Sequence, residues 1–136
     1  MDPARYIAAL FARFARLRDP KSFGREAEAL AARYLRLRGY RILERNWRTR
    51  FGEIDLIAEK ADTLVFVEVK ARRGRGKGLP EEAVTQAKKR KLLTLARAYL
   101  SSYRGKARRV RFDVLALEMA GGEPRIRHLK GVLEDG

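Results

Sequence analysis

Two apolar runs, 51–59 (FGEIDLIAE) and 63–70 (TLVFVEVK), have the Val, Ile, Leu and Phe content of strands yet hold Glu53, Asp55, Glu68 and Lys70 among them. A carboxylate buried without compensation is strongly disfavoured, so any fold of this chain must bring these charges to one another or to a cation. Period-two alternation puts Glu53, Asp55 and Ile57 on one face of the first run, and Ile54, Leu56 and Ala58 on the other. In the second run Glu68 and Lys70 share a face with Leu64 and Phe66, opposite Val65, Val67 and Val69. The short separation predicts a hairpin. With Ala61-Asp62 as its tip, Asp55 faces Glu68 and Glu53 faces Lys70, with opposed side chains about 5 Å apart. The tip lacks Asn-Gly chemistry, which leaves open a slip by two residues that keeps the acids on one face.

Two acids facing each other repel, and a divalent cation relieves that repulsion. Mg²⁺ takes hard oxygen ligands, commonly carboxylates plus waters and phosphate oxygens. An ion so held stabilises charge on a scissile phosphate and lowers the pKa of an attacking water. Lys70, on the same face as Glu68, would hold that water or neutralise the transition state. The alternative is a structural ion pair of Lys70 with Glu53, with Asp55 capping a loop.

The flanking sequence supplies the rest of one α/β domain. Residues 3–18 read as an amphipathic helix on Ile7, Leu10, Phe11, Phe14 and Leu17, stopped by Asp19-Pro20. Its apolar stripe suits packing on the domain or a partner, and its Arg residues would also suit an anionic membrane surface. A second helix runs from an N-cap at Ser22 to Arg38 and ends at Gly39, with Ala27, Leu30, Ala31, Tyr34 and Leu37 as its stripe. Residues 40–47 read as a strand. The Gly-rich basic stretch 72–78 reads as a loop, and Pro80-Glu81-Glu82 as the start of a helix reaching Tyr103. Residues 109–118 and 124–130 read as strands joined by a Gly121-Gly122 turn. The order is α-α-β-β-β-α-β-β: an amphipathic helix extension over 1–20, then a domain over 21–136.

Charge narrows the partners. The chain has 32 Lys+Arg against 17 Asp+Glu, a net charge of +15 over 136 residues. Of the basic residues 23 are Arg, whose planar fork suits phosphate, so nucleic acid is the leading partner. Cys is absent and His128 is the single His, which excludes disulfide scaffolds, thiolate zinc sites and His-rich metal sites. No apolar run is long enough to span a membrane, and the N-terminus lacks the pattern of a secretory signal; a cytoplasmic protein is expected. Asn46 and Gln86 are the only amide side chains, a depletion expected of a thermophile, where Arg also serves heat stability.

Asp55, twelve residues, then Glu68-Val69-Lys70 resembles the Asp…Glu-x-Lys signature of the PD-(D/E)XK nuclease superfamily. Gly39-Tyr40, Ile42-Leu43, Asn46-Trp47, Gly52 to Ala58, Leu64 to Lys70 and Arg111-Phe112-Asp113-Val114 resemble the YraN family of small bacterial proteins, over about residues 24–130. The resemblance implies a restriction-endonuclease-like mixed β-sheet flanked by helices, and a Mg²⁺- or Mn²⁺-dependent phosphodiesterase akin to archaeal Holliday-junction resolvases. It aligns the family's Gly-Glu of the first core helix with Ala27-Glu28. That makes Glu28 the third metal carboxylate beside Asp55 and Glu68, with Glu26 as the alternative and the Val69 carbonyl as a further ligand. It matches Lys88 to a basic, phosphate-contacting position and Asp113 to a Phe-Asp pair with a structural hydrogen bond. Resolvase-like relatives act as dimers, so a homodimer is a further expectation.

Catalysis thus falls to Asp55, Glu68 and Lys70, with Glu53 tuning Lys70. Nucleic-acid contacts fall to Arg72, Arg73, Arg75 and Lys77 of the basic loop and to Lys88. The loop lacks P-loop spacing. Trp47, Tyr99 and Tyr103 could stack on bases but suit a core, and His128 suits a sheet position. The expected function is a metal-dependent endonuclease acting on DNA, branched or single-stranded. The alternative is a catalytically silent nucleic-acid-binding module, or an adaptor of a DNA-processing complex docking through the first helix.

Overall fold

The computed structural model describes residues 2–15, 19–72, 85–120 and 123–133. Three helices and five strands follow in the order α1 (Pro3–Phe14), α2 (Pro20–Leu37), β1 (Arg41–Thr49), β2 (Gly52–Lys60), β3 (Thr63–Arg72), α3 (Gln86–Leu100), β4 (Arg109–Ala120) and β5 (Glu123–Leu129). The strands form one sheet whose spatial order equals their sequence order. All neighbours are antiparallel except β3 and β4, which run parallel, with α3 between them in sequence. The element order is the expected one, and the architecture is mixed α/β.

Local chemistry explains several boundaries. Asp19-Pro20, expected to stop the first helix, instead starts the second: Asp19 is the N-cap of α2, accepting from the Lys21 N–H at 3.1 Å and the Ser22 hydroxyl at 3.0 Å. Ser22 is therefore not the cap, because Asp-Pro supplies both a side-chain acceptor and a residue that needs no amide partner. Gly39, at φ 90, closes α2. The third helix runs from Gln86, with the Thr85 hydroxyl accepting from the Lys88 N–H at 3.1 Å, to Leu100, short of Tyr103. Residues 73–84, with the Pro80-Glu81-Glu82 start, and the Gly121-Gly122 turn lie outside the described residues.

The hairpin of β2 and β3 has the expected register: Lys60 pairs with Thr63, Ala58 with Val65 and Leu56 with Val67. Ala61 takes φ 53 at its tip. The turn succeeds without Asn-Gly because the Asp62 carbonyl accepts from the Arg108 and Arg109 amides at 2.8 and 3.0 Å, which ties it to the start of β4.

The two sheet faces carry separate cores. On one, Ile7 and Phe11 of α1 and Leu30, Ala31 and Leu35 of α2 pack on Leu56, Val65, Val67, Leu115 and Leu117. Ile7, Leu10 and Phe11 of the first helix's apolar stripe are thereby used within this chain; Leu17 and the side chain of Phe14 lie outside the described residues. Leu37, expected on the α2 stripe, is instead 51% exposed, and Leu35 is buried in its place. On the other face Leu95 and Ala96 of α3 meet Ile57, Leu64, Phe66 and Phe112. Ile54 also joins this second cluster, against strict alternation with Leu56. It pairs with Trp47, next to Asn46, whose φ is 52, so the alternation breaks where β1 and β2 are irregular. No described helix is long and apolar enough to cross a membrane.

Candidate active site

The β2–β3 ladder stops at Leu56–Val67, one residue short of the acids. Asp55 then accepts the Val69 N–H on its carboxylate, at 2.8 Å. A side chain takes the place of a backbone carbonyl, and the two strands fork. The β3–β4 ladder runs on past the fork, through Glu68–Val114 and Lys70–Ala116, so β3 stays anchored on its other side.

Asp55, Glu68 and Lys88 line a cavity of about 320 Å³ at this fork, with Leu92, Leu95 and Phe112 among its walls. Burial raises the Asp55 pKa to about 6; the Val69 N–H opposes this, and the charges of Glu28, Glu68 and Glu53 add to the rise. The charge of Glu28, on α2, thus acts on Asp55. Among the described residues Asp55 forms no ion pair.

Glu68 is better compensated. Its Oε1 accepts from Lys88 Nζ at 2.5 Å and lies 3.1 Å from Lys70 Nζ. The expected pair of Lys70 with Glu53 does not form, because Glu53 binds Arg48 at 2.8 Å across the β1–β2 pair. Glu53 therefore does not tune Lys70. Nor is Asp55 a loop cap: it joins two strands. Lys88, expected at a phosphate, is engaged with Glu68. Among the described residues no three Asp, Glu, His or Cys side chains converge as a preassembled ion cage, so Glu28, Asp55 and Glu68 are not gathered into one. Arg72 ends β3, whereas Arg73, Arg75 and Lys77 lie outside the described residues.

The place of Lys88 was only partly legible. Buried Leu95 with the half-buried Leu92 and Tyr99 forms the core-facing stripe of α3, and continuing it backwards by one turn reaches Lys91 and Lys88. Read that way, the stripe itself carries two lysines into the cavity.

The aromatic residues weighed as base-stacking groups belong to the core. Trp47 and Phe66 each meet Tyr99 edge-on, with ring centroids 5.3 and 5.9 Å away, and the Tyr103 hydroxyl donates to Glu59. Asp113 is buried in a closed network. It takes two bonds from Arg111, both 2.9 Å, one from the Gly131 N–H at 3.1 Å, and meets His128 Nε2 at 2.7 Å. Arg111 also donates to the Tyr40 hydroxyl at 2.8 Å. This network ties β4 and β5 to the end of α2.

Comparison with known proteins agrees with the motifs. A UPF0102 protein of Nocardia farcinica is 49% identical over 119 residues, covering 87% of this chain and 94% of its own length. One from Rhodococcus opacus is 50% identical over 110 residues, 80% of this chain and 93% of that one. One from Syntrophomonas wolfei is 47% identical over 109 residues, 80% of this chain and 95% of that one. A family model matches residues 27–117, from the α2 residue before Glu28 through the fork to β4. The chain belongs to the uncharacterised protein family UPF0102, the YraN family that its motifs resemble.

Proposed function

We propose that this chain is a metal-dependent endonuclease of restriction-endonuclease-like fold that hydrolyses phosphodiester bonds in DNA. The observation that carries the reading is the fork of β2 and β3. There Asp55, raised to a pKa of about 6 by burial and by neighbouring carboxylates, stands beside Glu68 and Lys70 in a chain of net charge +15. The donor set suits Mg²⁺ or Mn²⁺: hard carboxylate oxygens in excess on one side of a cavity, one of them without a cation. Asp55 and Glu68 would hold the ion, with the Val69 carbonyl as a further oxygen, and Glu28, whose charge reaches Asp55, would be drawn in as the third carboxylate. The ion would supply Lewis-acid stabilisation of the phosphate and an activated water. Lys70 orients the attacking water or meets the charge that develops on the phosphorane, and Lys88 holds the Glu68 carboxylate in place.

The test is nicking of a panel of DNA structures, branched, single-stranded and duplex, with each metal. Nicking is expected with either ion, with Asp55→Ala and Glu68→Ala abolishing it while binding persists. Lys70→Ala should slow it by about a hundredfold or more, the scale of losing one transition-state donor. An intact panel under both metals would sink the enzyme reading.

One observation favours a second reading, a nucleic-acid-binding module without turnover: Glu68 already has two lysines on one oxygen, so half of the acid pair is compensated by the protein's own cations. Titration calorimetry separates the two. A Mg²⁺ site lost in Asp55→Ala supports the enzyme, and DNA binding with no such site supports the module.

A further inference from the structure

The turn between β1 and β2 consists of Arg50 and Phe51, since Thr49 pairs with Gly52. Phe51 thus sits at a hairpin tip instead of inside a strand. Its ring is 49% exposed. The Arg50 guanidinium lies 4.9 Å from the ring centroid, and the Phe51 N–H is held by the Thr49 hydroxyl at 3.0 Å. The backbone of the tip is therefore fixed while the ring remains open to solvent.

A lone exposed aromatic is ordinary on a protein surface. What distinguishes Phe51 is the row of cations that leads from it into the fork. A Cβ on Gly52 would fall 2.5 Å from Lys91 Cε, so the α3 lysine lies directly against the turn. Lys91 and Lys88 both line the cavity, and Lys88 and Lys70 meet at Glu68. From Arg50 the positive charge thus continues through Lys91 and Lys88 to the acids. Four residue steps lead from Phe51 to Asp55, roughly 13 Å along a strand. That is about four stacked base steps of one nucleic-acid strand.

We propose that Phe51 is a base-stacking wedge, and that the preferred ligand of this site is DNA with an unpaired base a few nucleotides from the phosphate at the fork. The cation row tracks the backbone without regard to sequence, and the ring, backed by Arg50, takes the face of a base that has left its stack. Continuous duplex offers no such face and gains only the backbone contacts. The inference rests on the nucleic-acid reading above and refines it to a specificity for unstacked bases.

The experiment uses the full chain in EDTA, where binding is read without cleavage. Anisotropy compares a short duplex with the same duplex carrying a single-base bulge, and 2-aminopurine at the bulge reports stacking. The wild type should prefer the bulge by roughly tenfold and alter the fluorescence of the probe. Phe51→Ala should abolish both effects, leave duplex affinity within about twofold, and melt close to the wild type, since the half-exposed ring belongs to neither core cluster. Phe51→Tyr should retain them. The proposal is overturned if Phe51→Ala keeps the preference, if Phe51→Tyr loses it too, or if the wild type shows none. In each case DNA binding and nicking would still stand. A chain that binds no DNA at all would instead remove the nucleic-acid reading along with this one.

Discussion

Asp55 is placed against its own chemistry. Its folded pKa of about 6 lies above the ordinary aspartate value near 4. Between those values the folded chain keeps a proton that the unfolded chain has lost, so stability falls as pH rises through that window. Above about pH 6 the whole penalty is present. Asp55→Asn keeps an oxygen for the Val69 N–H and removes the charge. It should therefore melt higher than the wild type at pH 7 by about 1–2 kcal/mol, with the gain vanishing below about pH 4; thermal melts across that range check it. A residue that destabilises its own fold in this way fits a functional role better than a packing one. Its partnership with Glu68 was legible in the sequence because a period-two pattern and a hairpin register suffice to predict it. Lys70 was legible in the same way, on the face of Glu68, whereas Lys88 was legible only in part, because it reaches Glu68 from the separate element α3.

At the scale of elements, strand content and order followed from the runs of β-branched and aromatic residues, and the hairpin register followed from its short tip. The caps were less legible. Asp19-Pro20 can be read as a stop or as a start, and here it starts α2, whose Phe23 joins the core. The first helix shows what periodicity leaves open: an apolar stripe announces burial but not against what. Here Ile7 and Phe11 are fully buried against α2 and the sheet, and Phe11 meets Phe23 with ring centroids 5.7 Å apart. Phe11→Ala should cost about 3–5 kcal/mol, as large-to-small changes do in tight cores, and lower the midpoint of denaturant unfolding without changing its slope. Removal of residues 1–15 should likewise destabilise the chain, so loss of a partner on truncation reports on an adaptor role only after the melt of the truncated chain is known.

For the whole molecule, the excess of +15 is unevenly used. Several cations are drawn inward: Arg111 to Asp113, Lys70 and Lys88 to Glu68. Others lie at the β1–β2 turn and beside it: Arg50 over the Phe51 ring, and Lys91 against Gly52, where it also lines the fork cavity. The sequence showed the sum and not this partition, because charge counting carries no positions. A backbone footprint of about six phosphates would make affinity for DNA fall about a thousandfold between 50 and 200 mM salt. Anisotropy across that range checks it, and a flat salt response would show that the surplus is not a nucleic-acid surface.

The carboxylate that stands in for a ladder carbonyl at Val69 has one more effect. An amide held by a carbonyl is indifferent to pH, whereas one held by a titrating acid is not. Each time Asp55 takes up a proton, its hold on Val69 weakens and the seam between β2 and β3 loses its last clasp beyond Leu56. The hairpin thus has a zipper whose final tooth is ionic, and whatever fixes the charge of that tooth also sets how far the two strands stand apart.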